Sequence, residues 1–211
     1  MQSTETANEL VRPIEPRVDD TMMGYAINTV PARPTSYPRQ AGLTCGEFNA
    51  RALIDAYGIE FTPDPSPRLR VRMFGMSFLS DLAATLVRHD LDAEVRTAAG
   101  LHEESQLALL RGHIDSHEPI ILAIGNGHLS RDRDSAVARN LIGHFVTVYG
   151  YDAEREVFFV YDPYLEGDPP VPLPIGNVVR TADEILRDWR GPFYYRWIGM
   201  DHAYISVSDR A

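Results

Sequence analysis

The sequence predicts an α+β fold in which helices come first and an antiparallel β-meander follows. Three observations carry this. Ala50, Leu53, Ile54 and Tyr57 fall at i, i+3, i+4 and i+7, the apolar stripe of a helix. Pro119 to Ile124 is a short, continuously apolar run ending in Gly125, which suits a buried strand. His144 to Tyr151 and Val157 to Tyr161 are β-rich runs separated by Asp152-Ala153-Glu154-Arg155-Glu156, which reads as a hairpin. Helices followed by a meander differ from the βαβ alternation of a doubly wound sheet.

The elements follow in order. Residues 1–36 carry Pro13, Pro16, Pro31 and Pro34 among polar and acidic residues, with Met22 to Ile27 as the apolar patch. That composition predicts an extended or disordered N-terminal arm, with a pro-segment as the functional alternative, and one domain over residues 37–211. Thr44-Cys45-Gly46-Glu47 has the capping-box pattern, so Thr44 is the expected N-cap of the first helix and Gly58 its stop. Past Pro63, Pro65 and Pro67, a second helix places Leu79, Leu82, Ala83, Leu86 and Val87 on one face behind a Ser77 cap. Asp92 to Thr97 suits a strand, and Leu107, Leu110 and Ile114 suggest a third helix. After the hairpin and a Pro-rich loop from Pro163 to Pro174, Thr181-Ala182-Asp183-Glu184 is a second capping box, opening a short helix that closes at Trp189 and Gly191. A last strand is expected around Ala203 to Val207, and no internal repeat is present.

At 211 residues and 44% hydrophobic content, the chain is long enough for one buried core and short for two. A net charge of -10 leaves no basic field for phosphate backbones or anionic headgroups, so nucleic acid and membrane surface are poor partners. All 20 cationic side chains are Arg, which removes Schiff-base lysine chemistry and the P-loop lysine. The single cysteine permits neither an internal disulfide nor a Cys-rich zinc site, and a reducing compartment is expected. The polar, acidic N-terminus is no secretory signal, and no apolar stretch approaches the roughly 20 residues needed to span a bilayer. A cytoplasmic location is the expectation.

A lone cysteine is more often a small buried hydrophobe than a nucleophile. Three local features favour reactivity at Cys45. At the first helical residue a thiolate faces free N–H groups and the positive pole of the dipole, which lowers a thiol pKa from about 8.5. Gly46 leaves space beside the sulfur, and Gln40, five residues upstream, can donate with the Cys45 backbone N–H to a developing oxyanion. The charge of Glu47 works against the dipole. Of seven histidines, His144 is selected by position: it begins the first hairpin strand and Asp162 ends the second. Folding about Ala153 or Glu154 sets the two directly across or on a close diagonal, where the carboxylate can fix the imidazole tautomer that accepts a thiol proton. Taken singly, a strand-end histidine and an Asp-Pro turn are ordinary features; together with a cysteine at a helix start they form a candidate triad.

Gln40, Cys45-Gly46, the helix ending Ala56-Tyr57-Gly58, and His144-Phe145-Val146-Thr147-Val148-Tyr149-Gly150-Tyr151-Asp152 followed by Val160-Tyr161-Asp162-Pro163 resemble the papain-like cysteine peptidases of the bacterial bacteriocin-leader-processing, or double-glycine peptidase-like, branch. The likeness spans roughly residues 37 to 207 and extends in style to the region of Trp189 and Trp197. It implies a papain-like fold, with the nucleophile at a helix N-terminus packed on an antiparallel sheet, and a peptide or acyl-amide substrate with no cofactor. It further implies Cys45 as nucleophile, His144 as proton shuttle, Asp162 as its orienter and Gln40 as oxyanion donor. Two departures stand out: Gln40 lies one residue closer to the cysteine than in many members, and Glu47 stands where a small residue or Pro is frequent. The sequence shows no transporter membrane domain, so the resemblance implies a free-standing enzyme with another substrate.

Other signals carry less. His113 and His117 have metal-compatible spacing but no third ligand. Gly125-Asn126-Gly127-His128 lacks the Gly-Lys-Ser/Thr ending of a phosphate loop and is read as a turn. Ser130 to Asp134 is a solvated loop whose place before His144 makes it a candidate lid. Three functions are consistent with the pattern: hydrolysis of a peptide or amide through a thioester acyl-enzyme, acyl transfer or amide formation with the same triad, and a non-catalytic binding module on the same scaffold.

Overall fold

The computed structural model describes residues 27–40, 42–62, 78–130, 133–165 and 172–210. The elements run β1 (Ile27–Thr29), α1 (Cys45–Ala56), α2 (Leu79–Arg88), β2 (Leu91–Thr97), α3 (Glu103–Asp115), β3 (Ile120–Gly125), β4 (His128–Ser130), β5 (Arg133–Asp134), α4 (Ala136–Leu141), β6 (Gly143–Asp152), β7 (Val157–Tyr161), β8 (Val178–Thr181), α5 (Ala182–Trp189), a 3₁₀ turn at Tyr195–Trp197, and β9 (Ala203–Asp209). The order is α+β as the sequence predicts, with an antiparallel sheet ordered β2-β9-β3-β6-β7-β8. β1 pairs β6 at Gly150 to Asp152, beyond the stretch that β3 occupies.

β3 is buried along its whole length, which explains why its sequence is continuously apolar instead of alternating. The hairpin joins β6 to β7 with Asp152 opposite Val157 and Thr147 opposite Tyr161, with a bulge between Val148 and Gly150. Asp162, the next residue, thus falls beside Val146, two residues along from His144. α1 packs on β6 and α2 on β2, while α3 packs against α5 and β3. Leu53, Ile54, Leu82, Leu86, Leu122, Val148 and Trp189 are among the fully buried side chains joining these elements into one core.

Two N-terminal expectations are corrected. Thr44 is the N-cap of α1, but its side chain makes no cap bond, because ψ of 21° does not present the hydroxyl to the helix amides; the capping box expected there does not form. The box at Thr181 and Glu184 forms in both directions. The N-cap of α2 is Phe78, while Ser77 lies outside the described residues. α1 stops as expected, with Gly58 at φ 72° donating its N–H to Asp55 O.

Residues 27–40 form a strap across the sheet. After β1, Val30 N bonds Tyr149 O, the Tyr161 hydroxyl bonds Pro38 O, and Gln40 N bonds Pro163 O at 2.7 Å. The strap thereby reaches the Asp162-Pro163 end of β7. β1, β4, β5, β8 and α4 were not foreseen; each is at most six residues long, too short for a periodic signal. No helix among the described residues is long and apolar enough to cross a membrane.

Candidate active site

Cys45 is the first residue of α1, a partly buried free thiol. One turn on, Asn49 is fully buried, and its Nδ2 donates to Cys45 O and to Phe145 O, both at 2.8 Å. Its Oδ1 accepts from the Thr147 hydroxyl at 2.6 Å. Asn is a poor helix-interior residue. Here it fastens the start of α1 to β6, and so fixes the sulfur beside the strand that carries His144.

His144 Nε2 lies 2.8 Å from Asp162 Oδ1, with both side chains buried. The imidazole also hydrogen-bonds the Cys45 thiol, and since Nε2 is engaged by Asp162, Nδ1 is the nitrogen left for the sulfur. The Tyr164 ring meets the imidazole edge-to-face at 6.1 Å. The geometry thus brings Cys45, His144 and Asp162 into one chain of contacts. Gln40 lines the same cavity; its Nε2 donates to Gly42 O at 2.7 Å, and its buried Oε1 has no hydrogen-bond partner among the described residues. The bond to Gly42 fixes which end of the amide is nitrogen and leaves its second N–H unspent.

The charges follow from the packing. Burial pushes the Cys45 thiol up, but the His144 charge, a hydrogen bond from that ring and the backbone N–H groups of Phe145 and Gly46 outweigh it and hold the thiol below its ordinary value. Burial pushes His144 down, yet the Asp162 charge, the Cys45 charge and hydrogen bonds to both raise it above the usual imidazole range. Burial raises Asp162, but His144, Arg180 and the Tyr164 N–H together hold it low. All three shifts run in the direction of a thiolate–imidazolium–carboxylate arrangement.

The cavity has a volume of about 250 Å³, with Cys45, His144, Gln40, Asn126, Ile142 and Tyr195 in its walls. The Tyr195 hydroxyl sits against Gly143, where an added Cβ would come within 2.3 Å of it. Burial pushes that phenol up, so it stays neutral.

Sequence reasoning missed Asn49, Arg180, Asn177 and Tyr195. Arg180 Nη2 donates to Asp162 Oδ2 at 3.2 Å, and Asn177 holds both the N–H and the C=O of Asp162. A signal existed for Asn49, a polar residue four before Leu53 and so within the apolar stripe; none existed for the others. His117 lies past the end of α3 at φ 65°, and His113 Nδ1 pairs with Glu118 at 2.7 Å. Among the described residues no three His, Cys, Asp or Glu side chains group as metal ligands.

Residues 77–173 match the model of the Peptidase_C39 like family. That stretch includes His144 and Asp162 and begins after Gln40 and Cys45. Among solved structures, the chain is similar to a double glycine motif protease from an AMS/PCAT transporter in complex with its leader peptide. There the identity is 14% and the TM-score 0.48, over 84% of this chain and 93% of that one. It is also similar to the Pseudomonas avirulence protein AvrPphB, with 13% identity and a TM-score of 0.28, over 62% of this chain and 58% of that one. No curated protein matches the chain. Over residues 77–173 the chain is thus similar to the Peptidase_C39 like family.

Proposed function

We propose that the protein cleaves a peptide or amide bond through a thioester acyl-enzyme, with Cys45 as nucleophile, His144 as general base and then acid, and Asp162 as the group that orients the imidazole. The observation that carries this is the continuous contact from the Cys45 thiol through the His144 ring to Asp162, set in the wall of one cavity. The sulfur attacks the carbonyl carbon and the C=O electrons move onto oxygen, where the Cys45 backbone N–H and the free N–H of Gln40 donate. The tetrahedral adduct collapses as His144 gives its proton to the leaving amine, and water, deprotonated by His144, releases the acid and restores the thiol. Acyl transfer shares the first half of this sequence. Supplying amine acceptors and measuring conjugate against free acid assigns the second half.

Intact-mass measurement of electrophile labelling across pH tests the reading. One adduct at Cys45, formed rapidly well below the ordinary thiol range, is expected. His144→Ala should slow labelling at neutral pH and reduce kcat/KM for any cleaved peptide by about 10²–10⁴-fold. Cys45→Ala should abolish both. An ordinary thiol profile in the unmodified protein would sink the reading.

A further inference from the structure

Asp162 is 1% exposed, and its carboxylate has two separate loads. Oδ1 accepts from His144 Nε2 at 2.8 Å and from the Tyr164 N–H at 3.0 Å, whereas Oδ2 faces Arg180 Nη2 at 3.2 Å. Arg180 lies on β8 opposite Phe158 of β7 and is 6% exposed. A guanidinium so buried is costly unless paired, and its ion-pair partner is Asp162.

We infer that Arg180 is a positioning residue of the site, acting through Asp162 to set the pH range over which the Cys45 thiolate and His144 imidazolium coexist. This rests on the cysteine-peptidase reading. In the active proton state Cys45 and Asp162 carry negative charge, and His144 and Arg180 positive charge, so the buried cluster sums to zero. Without Arg180 the same state carries one net negative charge in surroundings that screen it weakly. The cluster relieves that charge by holding its protons to higher pH. Both the thiol step on the acid limb and the imidazolium step on the alkaline limb must then move up.

The other ionisable groups around the cluster do not compete. Tyr161, Tyr194 and Tyr195 are all raised by burial and stay neutral through the range, and Tyr164 contributes its ring and its backbone N–H. On α5, which packs against β7 and β8, Glu184 is committed to the Thr181 cap and Asp188 to His128 and Arg139. Asn177 binds only the backbone of Asp162, without charge.

The test compares the full-length protein with Arg180→Met, Arg180→Gln and Arg180→Lys, following Cys45 labelling by a small electrophile across pH and kcat/KM where a peptide is cleaved. Arg180→Met and Arg180→Gln should move the acid limb up by about one pH unit or more, whereas Arg180→Lys, which keeps the charge, should leave it near the original pH. Arg180→Gln keeps a donor toward Asp162 and serves if the Met variant does not fold. A limb that stays in place while all three variants lose rate equally overturns the inference and makes Arg180 purely structural. An ordinary thiol profile in the unsubstituted protein overturns instead the reading on which it rests.

Discussion

Among single residues, Asn49 ties the sequence most closely to the site. Its amide spans two backbone carbonyls on separate elements while its oxygen takes the Thr147 hydroxyl. Asn49→Leu keeps the branched heavy-atom skeleton but leaves that hydroxyl and the strand carbonyl short of a partner, and should cost roughly 1–3 kcal/mol in a urea titration. Labelling of Cys45 at low pH should slow as well, because the sulfur and the imidazole are no longer fixed together. Cys45, His144 and Asp162 could be picked from the sequence because each stands at the end of an element whose pattern is strong: a helix start and the two ends of a hairpin. Arg180 could not. Its link to Asp162 depends on the pairing of β8 with β7 across a Pro-rich connection, and no local pattern encodes that register.

Among the elements, the long or strongly patterned ones were legible and the short ones were not. The apolar stripe of α1, the continuous β3 and the β6–β7 hairpin follow from hydrophobic period alone. β1 has three residues in a Pro-rich stretch and exists because the edge of β6 beyond β3 is open to pairing. The Thr44 box failed although its letters matched, since a cap needs backbone dihedrals as well as side chains. The start of β6 is set against the Tyr195–Trp197 turn with no space for a methyl group at Gly143. Gly143→Ala should therefore displace Tyr195, destabilise the protein by about 1–3 kcal/mol and lower labelling of Cys45. Adding Tyr195→Phe removes the atom nearest the new methyl, so the double variant should recover part of the loss in both thermal unfolding and labelling.

For the whole molecule, the buried charges link folding to pH. Asp162 is held low in the folded state, so its contribution is complete above the unfolded value of about 3.9 and is lost as pH falls through the folded one. His144 is raised to about 10. Its contribution is complete below the unfolded value of about 6.5 and is lost as pH rises toward that folded value. Cys45 is held low and gains stability as pH rises to the unfolded thiol value of about 8.5, which offsets the His144 loss up to there. Thermal unfolding should therefore give a Tm that falls on the acid side as Asp162 protonates and on the alkaline side above about pH 8.5, with the alkaline decline flattened by His144→Ala. An alkaline slope unchanged in that variant would show that other groups set it.

The sulfur and its imidazole partner belong to different elements, a helix and a strand, joined at that point by one carboxamide. Acidity of the thiol is thus a property of the seated helix and not of the residue. If α1 lifts while the sheet stays intact, Cys45 reverts to an unremarkable sulfhydryl, so the chain's single thiol doubles as a gauge of partial opening that leaves the overall fold in place.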